Sequence, residues 1–133
     1  MTVGILLITH TGLGHSLLRS ARAILSAEPA LAEAIDVPGD CDPDAIFEQA
    51  LAACRRLDSG DGILVLTDLY GSTPSNIAGR LTEHHNVLVL AGVNLPMLVR
   101  ALNYRSSPLA ELAEKAIHGA RDGMVITKRK EAS

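Results

Sequence analysis

Four short, almost unbroken aliphatic runs, residues 3–9, 34–37, 63–67 and 87–91, alternate with stretches whose apolar residues recur at helical spacing. A strand that is apolar on both faces must be covered on both faces, which is the situation of a parallel strand packed between helices. Strands alternating with helices of this length therefore specify a parallel sheet joined by right-handed crossovers. The helical stretches carry start signals of their own. Asp42-Pro43 combines a capping carboxylate with a proline in the first turn, where its missing N–H is no loss, ahead of the stripe Ile46, Phe47, Ala50, Leu51, Cys54 and Leu57. Thr73-Pro74 opens another helix reaching about Leu81, and Ser107-Pro108 opens one carrying Leu109, Leu112, Ala113, Ala116 and Ile117. Residues 14–27 form the first helix, which Pro29 helps to end, and residues 94–104 form a short one.

The expected order is β-α-β-α-β-α-β-α-α-β, with residues 123–127, Gly-Met-Val-Ile-Thr, as the last strand. By analogy with flavodoxin-like α/β sheets, the four parallel strands lie in the order 2-1-3-4, so the chain reverses direction between the first and the third. Ligands bind at such a reversal, outside the carboxyl ends of the strands. A chain of 133 residues is expected to be one domain, residues 1–128, followed by a short polar tail, residues 129–133.

Composition narrows the classes of function. Phe47, Tyr70 and Tyr104 are the only aromatic residues, so platforms for stacking nucleobases are missing. A formal net charge of −3 argues against a polyanion partner, because duplex binding depends on clustered Lys and Arg. The one basic cluster, Lys128-Arg129-Lys130, reads as a solvated terminus. Cys41 and Cys54 fit neither a zinc nor a redox spacing and read as free thiols. No apolar run approaches the roughly 20 residues of a membrane span, and the N-terminus lacks a basic leader. The expectation is a soluble cytoplasmic protein with no cofactor, no nucleic-acid partner and no insertion into a membrane.

The first strand delivers His10 to its carboxyl end and breaks into Thr11-Gly12-Leu13-Gly14; the third delivers Asp68 ahead of Leu69-Tyr70-Gly71-Ser72-Thr73-Pro74. On neighbouring strands, an Asp68 carboxylate accepting from one ring nitrogen of His10 fixes the tautomer and leaves the other nitrogen as a bare lone pair. Such a nitrogen is a nucleophile, and phosphoryl transfer asks mainly for positioning and charge stabilisation. Gly71, Ser72 and Thr73 supply a helix start whose N–H groups bind phosphate oxygens, with two hydroxyls as further donors. Gly12 and Gly14 let backbone approach a ligand closely. Taken singly, each piece has a plainer reading as a simple turn, an aspartate cap or a Ser-Thr-Pro cap. Together on adjacent strands they favour phosphoryl chemistry. His15 reads as a surface residue near the site, His84 and His85 as residues favoured by a helix C-terminus, and His118 as part of an exposed helix face.

Three blocks carry a resemblance. Thr9-His10 after the first apolar run, the stretch from Leu66 to Asn76, and Ala91-Gly92-Val93-Asn94-Leu95-Pro96-Met97-Leu98 resemble, in that order and spacing, the IIA component of the mannose-type phosphoenolpyruvate:sugar phosphotransferase system. The similarity covers nearly the whole chain. It implies a phosphocarrier in which His10 takes a phosphoryl group from phospho-HPr and passes it to a IIB component. Asp68 then orients the histidine, and Gly71, Ser72 and Thr73 form the phosphoryl-binding turn. The resemblance also implies a homodimer that exchanges a C-terminal antiparallel strand, matched by residues 123–127. Some relatives continue into a fused IIB domain; this chain stops at Ser133, so a separate IIB acceptor is expected. Thr11 stands where many relatives have glycine, and His15 falls outside the shared motif. A related subunit that feeds dihydroxyacetone kinase has a different third-strand motif, so Tyr70 to Asn76 favours the sugar branch.

Two other readings use the same residues. A free-standing regulatory IIA protein would use the phosphorylation state of His10 to control binding to a target, without sugar transport. A metal-binding module would need His10, His15, His84 and His85 to converge, which their spacing does not promise. The sugar itself is not written in the chain, because a IIA component touches only protein partners.

Overall fold

The computed structural model describes residues 1–27 and 30–130. β1 (Gly4–His10), β2 (Ala32–Val37), β3 (Ile63–Thr67) and β4 (Val87–Ala91) form one parallel sheet in the order β2-β1-β3-β4. Five helices cover it: α1 (Leu13–Leu25), α2 (Pro43–Leu57), α3 (Thr73–Leu81), α4 (Leu95–Asn103) and α5 (Leu109–Asp122). Successive strand residues point to opposite faces, so β1 divides its side chains between two cores. Leu6 and Ile8 join Ile63, Val65 and the apolar sides of α2 and α3. Ile5 and Leu7 join Leu64, Leu66 and residues of α1, α4 and α5. Every one of these eight strand side chains is fully buried. At about 1.5–3 kcal/mol per buried aliphatic side chain, the two central strands hold the three layers together.

The crossovers fix where a site can form. α1 leads from β1 to β2 over one face, and α2 must return past β1 to reach β3, which right-handedness sends over the opposite face. The loops after β1 and β3 therefore diverge and leave a crevice between them. In register, Ile8 lies opposite Thr67 on one side and Ile35 on the other, so His10 projects beyond the last β1–β3 pair. The helix starts work largely as the sequence indicates. Asp42 caps α2 by accepting from the Asp44 N–H at 3.1 Å, and Asn94 caps α4 by accepting from the Met97 N–H at 2.9 Å.

Several expectations shift. β2 begins at Ala32 because Ala32 and Glu33 pair with Ile5 and Leu6. α1 runs from Leu13 to Leu25; Pro29, read as its stop, lies outside the described residues, as do residues 131–133 of the tail. Ser72, not Thr73, is the N-cap of α3. Residues 123–127 form no strand within the single chain, and Met124, Val125 and Ile126 are exposed. A strand exists only where a partner satisfies its backbone, and this segment finds none in its own sheet. Among the described residues, no helix is long and apolar enough to cross a membrane. Cys41 and Cys54 are free thiols, as read from their spacing.

At the end of the sheet opposite His10, one carboxylate organises the loop into β3. Asp58 accepts from the N–H groups of Gly60 at 2.7 Å and Gly62 at 3.1 Å, and its other oxygen lies 2.6 Å from His85 Nε2. Burial alone would raise the Asp58 pKa, but these bonds outweigh it and hold the carboxyl below its usual range. The neighbouring Cys54 thiol is pushed up to about 11, chiefly by burial and further by the Asp58 charge. Asp58→Ala is expected to lower the unfolding free energy by about 1–3 kcal/mol at neutral pH, since it strands two loop N–H groups. A group whose folded pKa is depressed gives its full stabilisation above the unfolded value, about 3.9, and loses it as pH falls through the folded value. Urea titrations of both proteins down the pH scale should therefore converge in acid; a midpoint unaltered at pH 7 would remove Asp58 from this role.

Candidate active site

The turn that carries His10 is locked from beneath by Thr9. Thr9 is fully buried, its hydroxyl accepting from the Gly14 N–H at 2.8 Å and donating to the His10 carbonyl at 2.9 Å. A Cβ on Gly14 would stand 3.1 Å from Thr9 Oγ1 and 3.3 Å from the Leu7 Cβ, so the absence of a side chain lets α1 start directly against the strand. From β2, Asp36 accepts from the Gly12 N–H at 3.0 Å, and the same oxygen lies 3.6 Å from His15 Nε2.

Asp68 follows the last residue of β3 and reaches across to β1. Its Oδ2 accepts from the His10 backbone N–H at 3.0 Å and lies 2.7 Å from His10 Nδ1, while Oδ1 accepts from the Leu69 N–H at 3.0 Å. A carboxylate can only accept, so Nδ1 carries the proton and Nε2 is left as a lone pair. The His10 ring is 54% exposed, whereas the Asp68 side chain is mostly buried. That burial works to raise the Asp68 pKa, but the bonds from the His10 ring, the His10 N–H and the Leu69 N–H outweigh it and keep the carboxyl below its ordinary range. Asp68 is thus a fixed anion behind an exposed imidazole.

The next residues make a tight turn. Ser72 donates to the Leu69 carbonyl through both its N–H at 3.2 Å and its hydroxyl at 2.6 Å. Gly71 sits at φ +85°, the left-handed conformation that such a turn demands and that glycine adopts without strain. Because the Ser72 hydroxyl is committed to the turn, it does not cap α3. The N–H groups of a helix's first turn have no partner inside the helix, so those of α3 remain open to an anion, Pro74 having none. Beside them lies a cleft of about 140 Å³ lined by His10, Val37, Pro38, Gly39, Cys41, Pro43, Thr73 and Pro74.

Of the residues singled out from sequence, the structure therefore brings His10, Asp68 and Thr73 to one place. Gly71 and Ser72 shape the turn between them, and the Ser72 hydroxyl is occupied where it was expected to be a free donor. His15 is exposed beside the site, and His118 is exposed on α5. His84 and His85 lie between α3 and β4, at the far end of the sheet from His10 and His15, His84 packing edge-on to Phe47. The four-histidine metal arrangement is separated by the length of the strands, and among the described residues no group of three or more His, Cys, Asp or Glu is placed to hold a metal ion. Thr9 and Asp36 had no role assigned from sequence. A lone threonine at the end of an apolar run was the available signal for Thr9, but Asp36 depends on the β1–β2 register.

Residues 4–117 match the protein family described as the PTS system fructose IIA component. The chain belongs to this mannose-type IIA family. The mannose-specific EIIAB component of Escherichia coli strain K12 is 33% identical over 98% of this chain, which spans only 41% of that protein. The mannose/sorbose-specific IIA subunit from Enterococcus faecalis shares the fold over 100% of both chains, with a TM-score of 0.89 and 23% identity. The component EIIA from Streptococcus agalactiae superposes with a TM-score of 0.84 at 25% identity, covering 93% of this chain and 96% of its own. The four-stranded parallel sheet in the order 2-1-3-4 is thus the fold of solved IIA proteins.

Thr9→Val keeps the shape of the buried side chain and removes both its bonds, leaving the buried Gly14 N–H without an acceptor. The IIA domain should lose about 1–3 kcal/mol of stability, read as a lower urea midpoint at constant slope; an unchanged midpoint would show that the turn holds without Thr9.

Proposed function

We propose that the protein is a phosphocarrier of the phosphoenolpyruvate-dependent sugar phosphotransferase system, with residues 1–128 as a single IIA domain acting in the cytoplasm. His10 accepts a phosphoryl group from phospho-HPr and passes it to a IIB component. The observation that carries this reading is the 2.7 Å contact between Asp68 Oδ2 and Nδ1 of an exposed His10 ring. In the forward step the Nε2 lone pair attacks phosphorus, and the N–P bond to the donor's histidine breaks with its electron pair returning to the donor nitrogen. The donor imidazole, protonated on its other ring nitrogen, leaves neutral, and the His10 ring, still protonated on Nδ1, takes over the positive charge. Asp68 stabilises that charge while keeping the ring aimed. The open N–H groups at the start of α3, together with the Gly71, Ser72 and Thr73 turn, receive the phosphoryl oxygens. The return step to IIB reverses each movement.

His10→Ala should abolish phosphorylation in a mixture of phosphoenolpyruvate, enzyme I and HPr, read by intact mass and by mapping the acid-labile phosphate. Asp68→Asn should leave the fold intact and slow transfer by about 100-fold or more, since an amide neither selects the tautomer nor offsets the ring charge. Transfer at full rate in either variant contradicts the assignment.

We also propose that the protein is a homodimer in which the segment after α5 pairs with the sheet of a partner copy. The exposed apolar run Met124-Val125-Ile126 supports this, as does β4, which ends the sheet with one side unpaired. Sedimentation should give a dimer for the full chain and a monomer for a chain cut after Gly123; a truncated chain that is still dimeric would rule out this segment as the link.

A further inference from the structure

We infer that the outer edge of β2 is a docking groove in which an extended, acidic segment of another protein adds as a further strand of the sheet. The groove runs along the side of the sheet and owes nothing to the reading of His10.

The Ile5 N–H donates to the Leu31 carbonyl, and Ile5 stands opposite Ala32. In a parallel ladder that bond turns the backbone polar groups of Glu33, Ile35 and Val37 toward β1 and those of Ala32, Ala34 and Asp36 outward. Among the described residues no strand lies beyond β2 to receive them. Pairing runs from Ala32 to Val37 without a bulge, and the strand contains neither proline nor lysine, so the usual means of blunting an exposed edge are missing.

Ala32 and Ala34 turn their methyl groups to the α1 side of the sheet. There, with Glu33 and with His15, Leu18 and Arg22 of α1, they line a cavity of about 280 Å³, against about 140 Å³ for the cleft beside His10. Ala32, Glu33, Ala34 and Asp36 are only half-buried, so the edge is recessed between its helices but open. A single extended segment can reach such an edge; a sheet that brings its own covering helices cannot.

Charge decides the occupant. α1 carries His15, Arg19 and Arg22 along one stripe and no acidic residue, in a chain whose net charge is −3. The carboxylate in the cavity lining, Glu33, is matched by Arg56 at 2.9 Å. Asp36, toward the carboxyl end of the strand, is held by the Gly12 N–H, with His15 3.6 Å away. Acidic side chains on the α1 face of an added strand therefore meet cations, while its main chain pairs with Ala32, Ala34 and Asp36. Two copies joined edge to edge across a two-fold axis would instead set one α1 stripe against the other, like charge on like.

The probe is a fluorescein-labelled peptide of alternating Glu and Val, with a Lys and Val counterpart as control, titrated into the full chain by anisotropy. The acidic peptide should bind, more weakly as salt rises, and should slow amide exchange at Ala32, Ala34 and Asp36. Arg19→Glu, on the exposed part of the stripe, should raise its Kd about tenfold. Ala34→Pro removes one outward N–H while leaving the bonds to β1, and should abolish binding with the urea midpoint little changed. If the proline variant does not fold, Arg19→Glu and the exchange pattern decide. No binding to the unaltered chain, equal binding of the Lys peptide, or an unchanged Kd in Arg19→Glu would overturn the inference. So would loss of self-association in Ala34→Pro by sedimentation, which would put a second copy on this edge.

Discussion

Everything in this molecule depends on β1 and β3 lying side by side with both faces of each buried. Ile5 to Ile8 and Ile63 to Leu66 have no route to water, so two separate sets of helices must cover the sheet. Once α1 occupies one face and α2 the other, the chain has to reverse between β1 and β3. The crevice at their carboxyl ends is a consequence of that burial, and His10 and Asp68 are the first ionisable side chains beyond it on the two strands that flank the reversal.

Asp68 completes the β1–β3 ladder in a different currency. The last paired residues are Ile8 and Thr67; beyond them the sheet would leave the His10 N–H without a strand partner. The Asp68 carboxylate supplies the acceptor and, through the same oxygen, the ring contact. Fixing backbone and ring together holds the imidazole in position, the preorganisation that the proposed phosphoryl transfer would require. Thr9 and Gly14 support the same turn from the start of α1, so His10 stands on a backbone held by two sets of bonds.

The polar bonds on the phosphoryl side are divided between shape and availability. Ser72 spends its hydroxyl on the Leu69 carbonyl, which fixes the turn but leaves the first N–H groups of α3 uncapped. A helix start left open beside an exposed imidazole is an anion site in waiting.

Much of this was legible in the chain. Unbroken apolar runs, residues 5–8 and 63–66, call for burial on both faces and so for parallel strands between helices, and the Asp-Pro and Thr-Pro pairs mark helix starts to within a residue. His10 and Asp68 were legible because ionisable residues at the carboxyl ends of strands buried on both faces have nowhere to go but the crevice. The partners of those residues were decided only by tertiary structure. That Asp36 reaches the Gly12 N–H depends on which β2 residue stands beside Thr9, a matter of register between segments more than twenty residues apart. That Ser72 closes the turn while Thr73 opens the helix depends on the backbone geometry at Gly71. Residues 123–127 show the limit most plainly: their apolar run reads as a strand, yet strand structure belongs to a pair of segments, and within the single chain this one pairs with no strand of the sheet.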